Sequence, residues 1–145
     1  MVSFVQWNAQ SMNAHGFEFY YSLIESVLEK PTIICVQETW YNDYNVVKFP
    51  DYTCVSKNRN GGRGLALYIH KSIIFKSVQT PVEKEYQIID LYLPKKISLI
   101  NFYNPCKKMN LDSLNEMIMD CQKNVIICGD FNAHNKLWGS VNYKW

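Results

Sequence analysis

Four short apolar runs in this chain each end on polar side chains, and that recurrence restricts the fold more than any other feature. Phe4-Val5-Gln6-Trp7 delivers Asn8, and Ile33-Ile34-Cys35-Val36 delivers Gln37 and Glu38. Ile97-Ser98-Leu99-Ile100-Asn101-Phe102 delivers Tyr103 and Asn104, while Val125-Ile126-Ile127-Cys128 delivers Gly129-Asp130-Phe131-Asn132. Runs this short read as buried strands. In open α/β sheets, ligands sit beyond the carboxyl ends of the strands. The pattern predicts an α/β fold with a polar site along one rim.

The segments between these runs support that reading. An amphipathic helix is expected over 17–29, with Phe17, Tyr20, Tyr21, Ile24, Val27 and Leu28 on one stripe. Lys30-Pro31 ends it, because proline disfavours a helical residue before it. Strands are expected at 2–7, 32–37, 52–57, 65–70, 73–79, 86–93, 96–103 and 124–128. A second helix over 111–122 has Leu111, Leu114, Met117, Ile118 and Cys121 in phase, with Asn110 as N-cap and Asp112 at its positive end. Each helix feeds a buried strand that ends on a carboxylate, Glu38 in one case and Asp130 in the other. This echo implies a layered body with two acids near one rim. Residues 1–145 read as a single domain, without linker or low-complexity segment.

Composition excludes several classes. Apolar residues make up 48% and charged residues 19%, which argues against disorder. No apolar run reaches the roughly 18–20 residues of a membrane span, and Met1-Val2-Ser3-Phe4 lacks the basic start of a secretory signal. An intracellular protein is expected. The five cysteines (Cys35, Cys54, Cys106, Cys121 and Cys128) are odd in number and form no C-x-x-C pair. They read as packing residues in a reducing compartment. The net charge of +2 is uneven, with two lysines against five acids in residues 1–50 and ten cations against four acids in residues 51–110. A basic middle suits a polyanionic partner, although lysines on strand edges also guard against aggregation.

Each candidate residue has a plain structural alternative. Glu38, at the end of a buried run, must be paired, rim-exposed or bound to a cation, and a salt-bridged structural role is the bland reading. Asp130 is similar, but Gly129 permits close backbone approach. Asp130 and Asn132 face one pocket if the extended conformation persists. Asn8 alone is a turn former, and Tyr103 alone is half-buried packing. Asn60-Gly61-Gly62-Arg63-Gly64 lacks the features of a phosphate-binding P-loop and reads as a hairpin turn. Lys57, Arg59 and Arg63 around it could also contact phosphates. His134 reads more readily as loop packing than as a catalytic base, and Trp138-Gly139-Ser140 as a loop anchor. Ser11 and Ser140 show no base partner.

Five motifs in order carry a resemblance. They are Val5-Gln6-Trp7-Asn8, Cys35-Val36-Gln37-Glu38-Thr39-Trp40, Gly62-Arg63-Gly64-Leu65-Ala66-Leu67, Asn101-Phe102-Tyr103-Asn104-Pro105 and Gly129-Asp130-Phe131-Asn132-Ala133-His134. Together they resemble the endonuclease/exonuclease/phosphatase (DNase I-like) family, above all the apurinic-endonuclease-like nuclease domain of non-LTR retrotransposons. The resemblance implies a four-layer α/β sandwich of mixed sheets with outer helices, present in part, and phosphate-ester hydrolysis with Mg²⁺ or Mn²⁺. It implies Glu38 as principal metal ligand with Asn8 beside it, and Asp130 as the group that orients or deprotonates water. Asn132 would hold Asp130 and a phosphate oxygen, and Tyr103 would touch the scissile phosphate. DNA is the implied partner, which would place the protein in the nucleus if the DNA is chromosomal. The family's later strands carry an aspartate and a terminal Asp-His pair that have no counterpart here. The expectation is a C-terminally truncated domain, weak or inactive alone, with uncovered sheet surface open to association. A phosphoesterase acting on lipid or nucleotide phosphates, and a non-catalytic nucleic-acid-binding remnant, are the competing readings.

Overall fold

Every residue of Ile33–Gln37 is buried, so this strand must be covered on both faces and flanked on both sides. It is β2 of a four-stranded sheet ordered β1-β2-β4-β3, with β1 at Phe4–Asn8, β3 at Tyr52–Lys57 and β4 at Leu65–His70. β1 runs parallel to β2, whereas β4 is antiparallel to both β2 and β3. A second sheet is ordered β5-β6-β7-β8, formed by Phe75–Val78, Tyr86–Tyr92, Lys96–Tyr103 and Val125–Asp130. There the parallel pair is β7 and β8. Both sheets are therefore mixed. The protein is seen here as a computed structural model that describes residues 2–25, 29–59, 63–119, 121, 124–134, 137 and 139.

Side-chain alternation sorts the apolar residues into three cores. Ile33, Cys35, Leu67 and Ile69 of the first sheet meet Ile89, Leu91 and Leu99 of the second. On the outer face of the first sheet, Ile34, Val36, Ala66 and Tyr68 pack with Met12, Phe19, Tyr20 and Ile24. On the outer face of the second, Ile88, Ile100 and Phe102 pack with Met117 and, less deeply, Leu114 and Cys121. Helix, sheet, sheet, helix gives the four layers that the motifs implied. All five cysteines are free thiols, and no helix among the described residues is long and apolar enough to cross a membrane.

Helix α1 departs from expectation. It spans Met12–Phe19, capped by Ser11, and continues as a π-helical segment over Tyr20–Glu25. The stripe expected at 17, 20, 21, 24 assumed unbroken α-helical spacing, but the wider turn shifts the phase. Met12, Gly16, Phe19, Tyr20 and Ile24 face the sheet, while Phe17 and Tyr21 are 67% and 65% exposed. A run of stacked rings seats this segment: Phe19 on Trp7 at 4.2 Å, Tyr20 on Phe49 at 4.7 Å, and Phe49 on Tyr68 at 4.5 Å. Val27 and Leu28 lie outside the described residues. Helix α2 spans Leu111–Met119, with the Ser113 amide donating to the Asn110 side chain at 2.8 Å as the cap. It leans on the sheet through Leu114 and Met117, with Cys121 just beyond its end, and Leu111 is 70% exposed.

From exposed Gln6 a chain of amides runs between the sheets through buried Gln37, Asn101 and Gln87. Gln6 Nε2 donates to Gln37 Oε1 at 2.5 Å, and Gln37 Nε2 donates to Asn101 Oδ1 at 2.7 Å. Asn101 Nδ2 shares its protons among the carbonyls of Val36 and Ala66, each at 3.0 Å, and Gln87 Oε1 at 3.1 Å. Gln87 Nε2 closes the chain on the Val55 carbonyl at 3.1 Å. A satisfied buried network specifies one register, whereas a broken one leaves costly orphans. Asn101→Leu strands the Gln37 amide and the Gln87 carbonyl, each worth about 1–3 kcal/mol when buried without a partner. Urea unfolding of that variant should show a loss of roughly 3 kcal/mol or more.

Candidate active site

The two parallel pairs aim four strand ends the same way. Asn8 lies beside Gln37 in the first sheet, and Tyr103 beside Asp130 in the second. Across the seam, Asn8 Nδ2 donates to Glu38 Oε1 at 3.1 Å and to Asp130 Oδ2 at 2.8 Å. The Tyr103 hydroxyl donates to the same Glu38 oxygen at 2.7 Å. One neutral amide and one phenol thus hold two carboxylates at a single rim. Among the described residues Glu38 forms no ion pair.

The backbone is bent to achieve this. β2 ends at Gln37, and Glu38 and Trp40 adopt left-handed φ values of 52° and 55°. Such conformations cost of order 1–3 kcal/mol each and persist only where neighbours enforce them. Here Thr39 N donates to the Gly64 carbonyl at 3.2 Å, Trp40 N to the Arg63 carbonyl at 2.7 Å, and Met12 N to the Thr39 carbonyl at 3.0 Å. The turn that swings Glu38 over the rim is therefore clamped between α1 and residues 63–64.

β8 reaches two residues beyond the expected end at 128, carrying Asp130 into register with Tyr103. Gly129 is needed there, since a Cβ would lie 1.9 Å from the Phe102 carbonyl oxygen of β7. Extended backbone does not continue to Asn132 as expected. Asn132 turns left-handed, with φ 45°. Its backbone N–H donates to Asp130 Oδ1 at 3.0 Å, and its side chain donates to the Asn104 carbonyl at 2.6 Å. Asp130 and Asn132 still share one hollow of about 550 Å³, which His134 also borders. Asn104, given no role from sequence beyond its place after a strand, splices the two loops. Its amide N–H donates to the Asp130 carbonyl at 2.8 Å and its side chain to the Phe131 carbonyl at 3.0 Å.

The three cations expected near the hairpin separate. Arg63 lies 5.9 Å over the Tyr103 ring, beside the site. Lys57 instead ties β3 to the other sheet, donating to Thr80 Oγ1 at 3.0 Å and to the carbonyls of Pro81 and Tyr86 at 2.6 and 2.8 Å. Burial pulls its ammonium down to about 8. Arg59 pairs with Glu85. Both are occupied by the fold rather than presented to a ligand. The turn at 60–62 lies outside the described residues, as do Trp138 and Ser140.

The donor set fits a hard cation. Both contacts to Glu38 fall on Oε1, and Oε2 has no protein partner among the described residues. Carboxylate and amide oxygens with room for water suit Mg²⁺ or Mn²⁺, which take few protein carboxylates and keep several waters. No cluster of three or more His, Cys, Asp or Glu side chains occurs among the described residues. Glu38 would hold the ion, with the Asn8 side-chain oxygen beside it, and Asp130 would face the water.

Two tests follow from this geometry. Gly129→Ala forces β8 away from β7 and should cost about 3 kcal/mol or more by urea unfolding, as severe overpacking does. Burial, and then the bond to Glu38, push the Tyr103 phenol up to about 12. The folded chain keeps that proton where the unfolded chain, with a phenol near 10, releases it. The associated stability is full below about pH 10 and is lost as pH rises toward 12. Tyr103→Phe should therefore show a shallower alkaline loss in melting temperature.

The sequence pattern of the Endonuclease/Exonuclease/phosphatase family matches residues 5–144. No curated protein matches the chain. Among solved structures, the endonuclease domain of TRAS1, a telomere-specific non-LTR retrotransposon, superposes with a TM-score of 0.69 at 16% identity, covering 99% of this chain and 65% of that one. An AP endonuclease from Archaeoglobus fulgidus gives 0.60 at 21% identity, covering 92% and 58%. TDP2 from D. rerio, complexed with a single-strand DNA product, gives 0.52 at 12% identity, covering 97% and 66%. The chain thus spans about 60% of the length of the first two of these. With its four layers, its paired strand ends and a family match across nearly the whole sequence, the chain belongs to the Endonuclease/Exonuclease/phosphatase family.

Proposed function

We propose that this chain is a divalent-metal-dependent phosphodiester hydrolase of the retrotransposon endonuclease type, nicking one DNA strand to leave a 3′-hydroxyl. The observation that carries the reading is the Asn8 amide holding Glu38 and Asp130 together beside the Tyr103 phenol. Bound Mg²⁺ or Mn²⁺ would neutralise charge developing on the phosphoryl oxygens. Glu38 would hold that ion through its free carboxylate oxygen, with the Asn8 side-chain oxygen, which also accepts the Gln10 N–H at 3.2 Å, beside it. Asp130 takes a proton from water, with its Oδ1 steadied by the Asn132 N–H. Tyr103 stays protonated in the neutral range, so its hydroxyl can donate to a phosphoryl oxygen. Arg63, beside Tyr103, adds positive charge at the mouth.

The rate of this chain alone should be low. Among the described residues no third carboxylate or histidine joins Glu38 and Asp130 in a cluster. A missing positioned acid or base typically costs about 10²–10⁴-fold. The edges of β1 and β8 also carry partly exposed apolar residues, among them Val5, Trp7, Ile126 and Ile127. Among the described residues no strand pairs with the outer edges of β1 and β8, and unpaired edges associate, so sedimentation should show a concentration-dependent shift toward dimers or larger species.

The central test is nicking of supercoiled plasmid in Mg²⁺, Mn²⁺ or EDTA. Slow, metal-dependent nicking that falls by about 100-fold or more in Asp130→Asn and Glu38→Gln is expected. Preference for small lipid or nucleotide phosphates over plasmid would move the reading to another phosphoesterase. DNA binding that survives both substitutions, with no cleavage in any metal, would leave a nucleic-acid-binding remnant.

A further inference from the structure

A second hollow adjoins the site. It measures about 630 Å³ and is lined by Lys107, Lys108 and Met109 from the loop after β7, and by Phe131 and Asn132 from the loop after β8. It shares Phe131, Asn132 and Ala133 with the hollow that contains Asp130. The two form one groove, with Asp130 at one end and the lysine pair at the other. Its volume lies within the roughly 300–1,000 Å³ of ligand pockets.

The groove is cationic, and its walls are fixed. No carboxylate lines the second hollow among the described residues. Of the three acids on the far side of the lysine loop, Glu85 is matched to Arg59 and Glu116 to Lys84, which leaves Glu83 facing two lysines. Neither Lys107 nor Lys108 forms an ion pair among the described residues. Asn104 pins the loop, donating from its side chain to the Lys107 carbonyl at 2.9 Å and accepting the Lys107 N–H at 2.8 Å. The same Asn104 is bonded to Asp130, Phe131 and Asn132 through the contacts described above. The backbone of the lysine loop is therefore tied to Asp130 through Asn104. Phe131 and Met109 supply an apolar floor on which a base can lie, and lysines beside an aromatic floor match a nucleic-acid strand.

We infer that this groove is a strand-binding subsite: it takes a nucleotide of the cleaved strand next to the scissile phosphate, with its phosphates on Lys107 and Lys108 and its base against Phe131 and Met109. The inference rests on the phosphodiester-hydrolase reading for its place in catalysis, but binding tests it without cleavage. A fluorescent single-stranded DNA of about ten nucleotides, within the usual span of such sites, is titrated in EDTA at several salt concentrations. The full chain is compared with Lys107→Ala/Lys108→Ala and with Lys71→Ala/Lys95→Ala, which removes equal charge at the opposite end of the sandwich. The expected result is a drop of about tenfold or more in affinity for the first pair only. Its salt slope should also fall by about 1.4, near 0.7 per phosphate contact on a single strand. A melting temperature matching the parent chain confirms that the variant is folded. Equal loss in both pairs, no loss in either, or no binding by the parent chain would overturn the subsite. Plasmid nicking reports separately on the catalytic reading, so the two can fail independently.

Discussion

The hydrogen bond from Gln37 to Asn101 is the contact on which the rest of the site depends. Two sheets with apolar inner faces can slide past each other at little cost, because dispersion is non-directional. A buried amide that finds its partners in one position only removes that freedom. Gln37 precedes Glu38, and Asn101 lies two residues before Tyr103. Fixing the first pair therefore fixes the second, and the 2.7 Å contact between Tyr103 and Glu38 is the visible result. The continuation through Gln87 to the Val55 carbonyl extends the restraint to β3.

Above that chain the site keeps two carboxylates together, neither of them in an ion pair among the described residues. Asn8 makes this tolerable by donating both amide protons, one to each acid. Two like charges bridged by a neutral donor are still an attractive place for a positive ion. The left-handed turns at Glu38, Trp40 and Asn132 fit the same logic. Strain of this kind gathers where side chains are held for a task rather than for packing. Here it falls on Glu38 itself and near both acids, although Gln10, Ser11, Asp51, Arg63 and Cys106 are left-handed as well.

Much of this was legible in the sequence because strand ends are local features. Apolar runs ending in Asn8, Glu38, Tyr103 and Asp130 placed four side chains on one rim, and the helix–strand echo anticipated two acids together. The structure shows why the echo exists: β1-α1-β2 and β7-α2-β8 are two parallel units, each ending at the seam. What the sequence hid was non-local or depended on backbone geometry. The π-helical segment after Phe19 moved Phe17 and Tyr21 to the surface, a shift that 3.6-residue periodicity cannot register. Asn132 departs from extended geometry through one left-handed residue. Gln37 and its partner Asn101 lie 64 residues apart in the chain, and no spacing rule connects them.

The cations make the same point about charge. A basic middle, read as composition, made Lys57, Arg59 and Arg63 equivalent candidates for phosphate. Folding separates them by what each side chain must satisfy. Lys57 is half-buried with three oxygen acceptors, and Arg59 has a carboxylate, so neither offers a free cationic group. Arg63 instead lies at the mouth over Tyr103. Lys107 and Lys108, indistinguishable from other lysines in the sequence, sit on a loop whose hydrogen bonds run to Asp130. Net charge brings a polyanion near a protein, but only cations left unmatched by the fold and fixed relative to the reacting groups can set where a strand lies.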